Sequence, residues 1–89
     1  MPVVSIPTPL RAHTDGVEAV EAHGTTVGEV LENVVTIHPA LRERIFDGAV
    51  IRRFVNVYVN NEDIRYLDEL ATAVGPKDDI SIIPAIAGG

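Results

Sequence analysis

The stretch TVGEVLENVVTIHP, residues 26–39, limits the architecture more than any other part of the chain. Thr26 followed three residues later by Glu29 is the pattern of a capping box, in which the two side chains take up free N–H groups at a helix start. Val27, Val30, Leu31, Val34 and Val35 then form one apolar stripe at helical spacing, with Glu29, Glu32 and Asn33 on the other side. Pro39 closes the run, because the residue before a proline is driven out of the helical region. The β-branched residues here are poor helix formers. Such a helix depends on a sheet to pack against.

The strands for that sheet lie on both sides of it. Val3–Ile6 is a short β-type run stopped by PTPLR, where Pro7 and Pro9 break regular pairing. HTDG predicts a turn at Asp15-Gly16, and residues 17–22, VEAVEA, a second strand antiparallel to the first, with its inward face left open. PALRERIF predicts a short second helix carrying Leu41, Ile45 and Phe46, ended by Asp47-Gly48. RFVNVYVNN is the clearest strand: Val55, Val57 and Val59 share one face, and Phe54, Asn56, Tyr58 and Asn60 the other. After a turn at NNED, Ile64–Tyr66 reads as an edge strand. GPKDD turns the chain again before a buried strand over Ile80–Ile83, which Pro84 ends. The order predicts one α+β domain, a crossover helix on a mixed sheet of four to five strands.

Composition removes whole classes of function. The chain of 89 residues has room for one domain, and its hydrophobic share of 46% suffices for one core. The absence of cysteine excludes disulfides, iron–sulfur clusters, thiolate zinc sites and a cysteine nucleophile. Seven Lys and Arg against thirteen Asp and Glu give a net charge of −6. Arg52-Arg53 is the one adjacent basic pair, which argues against nucleic acid as a partner. No apolar stretch is long enough to cross a membrane, and MPVVSIPTPLR lacks the charged leader and apolar run of a signal peptide. A cytoplasmic location is expected.

Few residues offer chemistry of their own. His13, His23 and His38 fall in three separate connections without metal-ligand spacing, so no metal site is expected. Glu62-Asp63 and Asp78-Asp79 sit in predicted turns, where acids stay solvated, and no Ser-His-Asp order, phosphate loop or HExxH helix occurs. The chain does not read as an enzyme. What remains is the ending, PAIAGG. Residues 85–89 are expected to be a flexible tail beyond a domain of residues 1–84, reaching about 16 Å when extended. Ala85, Ile86 and Ala87 are slim enough for a narrow channel, Gly88 lets the tail pass, and Gly89 leaves its carboxylate open to attack once activated.

DDISIIPAIAGG and RFVNVYVNNEDIRYLDELATAV together resemble the ubiquitin-like β-grasp sulfur carriers, a family that includes the molybdopterin synthase small subunit and the thiamine sulfur carrier. Within it, the chain most resembles the actinobacterial branch that carries sulfur for cysteine synthesis; VSIPTPLRAHT and the LATA segment belong to the same likeness. The resemblance implies a β-grasp fold with the first and last strands parallel at the sheet centre. It also implies that a ubiquitin-activating-type adenylating enzyme, using ATP with magnesium, activates Gly89, which then bears a thiocarboxylate. The implied partners hold their own cofactors: a pyridoxal-phosphate cysteine synthase that takes the sulfur, and a zinc metalloprotease that releases cysteine. A molybdopterin synthase subunit, a lysine-linked modifier and a donor for transfer-RNA thiolation remain the alternatives. Phe54, Tyr58 and Ile83, from their outward phase on two strands, are the expected partner surface, together with Arg53. GPKDD departs from the GD pair that many family members carry before the last strand, and Lys77 is the one lysine.

Overall fold

In the computed structural model, which describes residues 1–84, the main helix forms where its caps require. Helix α1 spans Val27–Ile37, and the Thr26 hydroxyl accepts the Glu29 N–H at 3.2 Å. Glu29 answers one residue further out than a capping box prescribes. Its Oε1 accepts the Thr25 N–H at 2.8 Å and the Thr25 hydroxyl at 2.9 Å. These bonds, the Thr25 N–H foremost, hold the Glu29 carboxyl below its usual range. The stripe of Val27, Val30, Leu31, Val34 and Val35 is buried throughout.

The strands are β1 (Val3–Ser5), β2 (Ala19–Glu21), β3 (Phe46–Asp47), β4 (Val50–Ile51), β5 (Val55–Val59), β6 (Glu62–Asp63) and β7 (Asp79–Pro84). Five form one sheet in the order β2-β1-β7-β5-β6, and β3 pairs with β4 separately. β1 and β7 run parallel, Val4 beside Ile80, so the first and last strands meet at the sheet centre as expected. The other pairings are antiparallel. Val4, Val20, Val57, Val59, Ile80 and Ile82 join the α1 stripe in one core, giving the β-grasp architecture. Val20 and Ala22 are the inward residues of VEAVEA, and Ala19 and Glu21 face out.

Local structure departs from the sequence reading in four places. Thr8–His13 forms a 3₁₀ turn where Pro7 and Pro9 were expected only to stop pairing; a proline in a first helical turn removes an N–H that has no partner there anyway. The second helix ends earlier: a 3₁₀ turn over Pro39–Leu41 leads into α2 (Arg42–Ile45), and Phe46 leaves to pair with Ile51. Gly48, at φ +66°, reverses that hairpin. The edge strand is Glu62–Asp63, and Ile64–Tyr66 is a 3₁₀ turn instead of the expected strand. Asn60 and Asn61 both take positive φ (49° and 74°), a two-residue reversal that restarts pairing at once. The Asp63 carboxylate then accepts the Arg65 N–H at 2.9 Å and caps the turn.

The fourth departure concerns Pro84, which continues β7 and pairs with Val55. The Asn60 N–H donates to the Asp79 carbonyl at 2.9 Å, which marks the bonded pairs of the β5–β7 ladder. Alternation along that ladder puts Val59–Ile80, Val57–Ile82 and Val55–Pro84 at the non-bonded positions. β5 therefore asks for no N–H from Pro84, and β1 has already ended at Ser5.

Candidate functional site

The residues around the end of β7 divide between two surfaces. Alternation along the strand sends Ile80, Ile82 and Pro84 to the helix side and Ser81 and Ile83 to the outer face. Ile83, 46% exposed, lies beside Asn56. Tyr58, two residues on along the same face, lies between Ser81 and Asp63. Arg65 ties this face to the sheet edge: one Nη donates to Asn56 Oδ1 at 2.8 Å and to Asp63 Oδ2 at 2.7 Å. The Arg65 side chain is also the main reason the Asp63 carboxyl stays below its usual range. Tyr58 and Ile83 thus stand on one braced sheet face, as the sequence reading had them. Arg65 was missed, because an edge strand was expected where a capped turn stands.

Phe54 and Arg53 are not on that face. β5 begins at Val55, and the Val55 N–H donates to the Arg52 carbonyl at 3.0 Å, closing a turn through Arg53 and Phe54. Strand alternation does not extend into a turn. Phe54, 59% exposed, instead lines a groove of about 700 Å³ with Leu10, Phe46, Val55 and Pro84. The Arg53 guanidinium stands 5.8 Å from the Phe54 ring centroid, within reach of a cation–π contact.

The opposite end of β7 is held by GPKDD. Asp78 accepts the Gly75 N–H at 2.7 Å and the Asn60 amide at 3.0 Å, and Asn60 in turn accepts the Asp79 N–H at 3.0 Å. The Gly75 N–H is the main cause holding the Asp78 carboxyl below its usual range. The departure from a GD pair thus still makes a closed turn.

β7 is consequently fixed at its start by this turn and along its length by β1 and β5. Ala85, Ile86, Ala87, Gly88 and Gly89 lie outside the described residues. Among the described residues, no group of His, Asp or Glu can hold a metal ion, and His13, His23 and His38 are not brought together. No helix among them is long and apolar enough to cross a membrane.

Comparison with known proteins places this geometry. The model of the ThiS family matches residues 4–89. The sulfur carrier protein CysO of Mycobacterium tuberculosis is 45% identical, over 97% of this chain and 96% of its own. The small archaeal modifier protein 3 of Haloferax volcanii is 34% identical over 72% of this chain and 70% of its own. Among solved structures, the crystal structure of the Amycolatopsis orientalis BexX/CysO complex contains a chain superposing with a TM-score of 0.93 at 44% identity, covering all of both chains. These relatives are named as carriers and modifiers, not as enzymes.

Proposed function

The chain belongs to the ThiS family of ubiquitin-like β-grasp proteins, and we propose that it is a sulfur carrier with Gly89 as its working end. One observation carries this reading: β7 is locked between β1 and β5, so the chain leaves the described fold at Pro84 from a rigid strand. A carrier needs that arrangement, because a partner can thread only a segment whose root is fixed in direction.

The chemistry belongs to the terminal carboxylate. A carboxylate oxygen of Gly89 attacks the α-phosphorus of ATP in an adenylating enzyme, and pyrophosphate leaves. A sulfur nucleophile then attacks the acyl carbon, AMP departs, and Gly89 carries a thiocarboxylate. Ala85 to Gly88 occupy the channel meanwhile, and two surfaces beside the root of that segment can meet the partner: the sheet face of Tyr58 and Ile83, and the corner of Phe54 and Arg53. Cysteine synthesis is the recipient pathway that the likeness to CysO supports. There a pyridoxal-phosphate synthase takes the sulfur and a zinc metalloprotease restores Gly89, each cofactor residing in the partner.

Intact-mass spectrometry after incubation with ATP, sulfide and host extract tests this reading. The expected result is a mass gain of one oxygen-to-sulfur exchange localised to Gly89, converted to a cysteinyl adduct when O-phosphoserine or O-acetylserine is added. An unchanged mass in an extract that activates another carrier would sink it. The likeness to an archaeal modifier favours a second reading, attachment of Gly89 to target lysines. Isopeptide adducts of Gly89 on other proteins would support that one instead.

A further inference from the structure

Charge is spread unevenly over this acidic chain. Residues 42–53, RERIFDGAVIRR, hold four of the six arginines and only two acids, while the remainder holds three cations and eleven acids. The fold then carries that segment to the end of β7. α2 supplies Arg44 and the turn after β4 supplies Arg52, and both line the groove that Pro84 and Phe54 share. The Arg52 N–H donates to the Ile45 carbonyl at 2.8 Å, which fixes the hairpin base against α2.

Those cations are not neutralised in place. Glu32 takes Arg42 and Asp63 takes Arg65, whereas Arg44, Arg52 and Arg53 are exposed with no ion pair among the described residues. Glu43 and Asp47 also line the groove, yet neither comes within ion-pair distance of an arginine. The surface is therefore an apolar floor of Leu10, Phe46 and Pro84 rimmed by unpaired Arg44 and Arg52 and by Glu43 and Asp47, with Arg53 beside it over the Phe54 ring, so three unpaired arginines face two acids there. The outer sheet face differs in sign, presenting Glu21 and Asp79.

We infer that this groove docks the mouth of the partner's tail-accepting channel, and that the mouth is acidic and meets Arg44, Arg52 and Arg53. The inference rests on the carrier reading above and adds the partner's chemistry and its approach. An acidic mouth is attracted at the groove and repelled by the acids elsewhere, so one orientation is selected before contact. That orientation sets the channel beside Pro84, where the chain leaves the described fold.

The test is tail adenylation, followed by ATP–pyrophosphate exchange with the source organism's purified adenylating enzyme. Its substrates are the full wild-type chain, the reversal R44E/R52E/R53E, the retention R44K/R52K/R53K and the outer-face control E21K/D79K. The reversal is expected to raise KM on the order of 10- to 100-fold with kcat kept. The retention and control variants should stay near wild type, and added salt should raise the KM of wild type far more than that of the reversal. An unchanged KM for the reversal, with the wild type turning over normally, overturns the docking inference and leaves the carrier reading standing. No exchange with the wild type overturns both. Wild-type self-association that the reversal abolishes would give the groove to a second copy of this chain and overturn the inference as well.

Discussion

β7 with its neighbours and the segment from α2 to Phe54 are built on opposite plans. β7 is paired on both sides, its buried side chains mesh with the α1 stripe, and its leading turn closes on itself through Asp78 and Asn60. The segment from Arg42 to Phe54 consists of one helical turn, a two-residue hairpin and a β-turn, with Val50, Phe54 and three unpaired arginines in solvent. The first region spends its groups internally and gains rigidity. The second gives Ile45 and Phe46 to the core but leaves its charged groups and Phe54 available to something else. In a carrier these tasks conflict, since a surface that yields to a partner cannot also aim the tail. The chain assigns them to different stretches.

The largest effect that separates the two regions is on stability. Leu31→Ala, at a fully buried site in the α1 stripe, is expected to cost about 3 kcal/mol in a denaturant titration. Val50→Ala, on the exposed hairpin, should cost under about 0.5 kcal/mol. Equal losses would mean that the hairpin is part of the cooperative core, and the contrast would fail.

A smaller effect belongs to the turn that leads into β7. Asn60→Ala removes two side-chain hydrogen bonds and puts alanine at φ 49°, for an expected loss of about 1–2 kcal/mol. Asn60→Gly should recover only the backbone part, so thermal melts of the two variants separate strain from bonding. The same turn carries a pH signature. The Asp78 carboxyl of that turn, like the Asp63 carboxyl at the sheet edge, titrates lower in the folded chain than when free. Their contribution is thus complete above the ordinary carboxylate range and is lost as pH falls through the folded-state values. Asp78→Asn should flatten the acid limb of the stability curve, and an unchanged limb would show that the Gly75 contact contributes nothing.

The same division marks what could be read from residues alone. α1 was legible because its cap and its stripe agree, and β5 because three valines alternate with larger side chains. The parallel pairing of β1 and β7 followed from the family resemblance, not from periodicity, since strands of three to six residues carry no mark of their neighbour. The misreadings fall in the connections. Pro9, Phe46 and Arg65 were placed by propensity or phase, but a first-turn proline, a glycine reversal at Gly48 and an aspartate cap at Asp63 decided the outcome. Phase also placed Phe54 on the sheet face, although its turn begins before the strand. Alternation is a property of paired backbone and stops where pairing stops. The groove could not be read at all, because Leu10, Arg44, Arg52 and Pro84 are distant in sequence and meet only through the sheet order.

Phe54 offers the smallest change in stability and the sharpest probe of the contrast. Its ring is mostly in solvent, Arg53 lies over it, and the turn beneath it is closed by backbone atoms from Arg52 and Val55. Phe54→Ala should therefore shift the unfolding midpoint by no more than about 0.5 kcal/mol. Its effect should appear in the partner assay, as a higher KM for tail adenylation with kcat preserved, because an exposed aromatic beside a cation is a typical contact anchor. Tyr58→Ala, on the outer sheet face, distinguishes the two candidate surfaces. If Tyr58→Ala raises KM and Phe54→Ala does not, the partner lies on the sheet and the basic groove is bystander surface. If Phe54→Ala alone raises it, the partner approaches over the turn, and a side chain that folding barely needs is one that recognition requires.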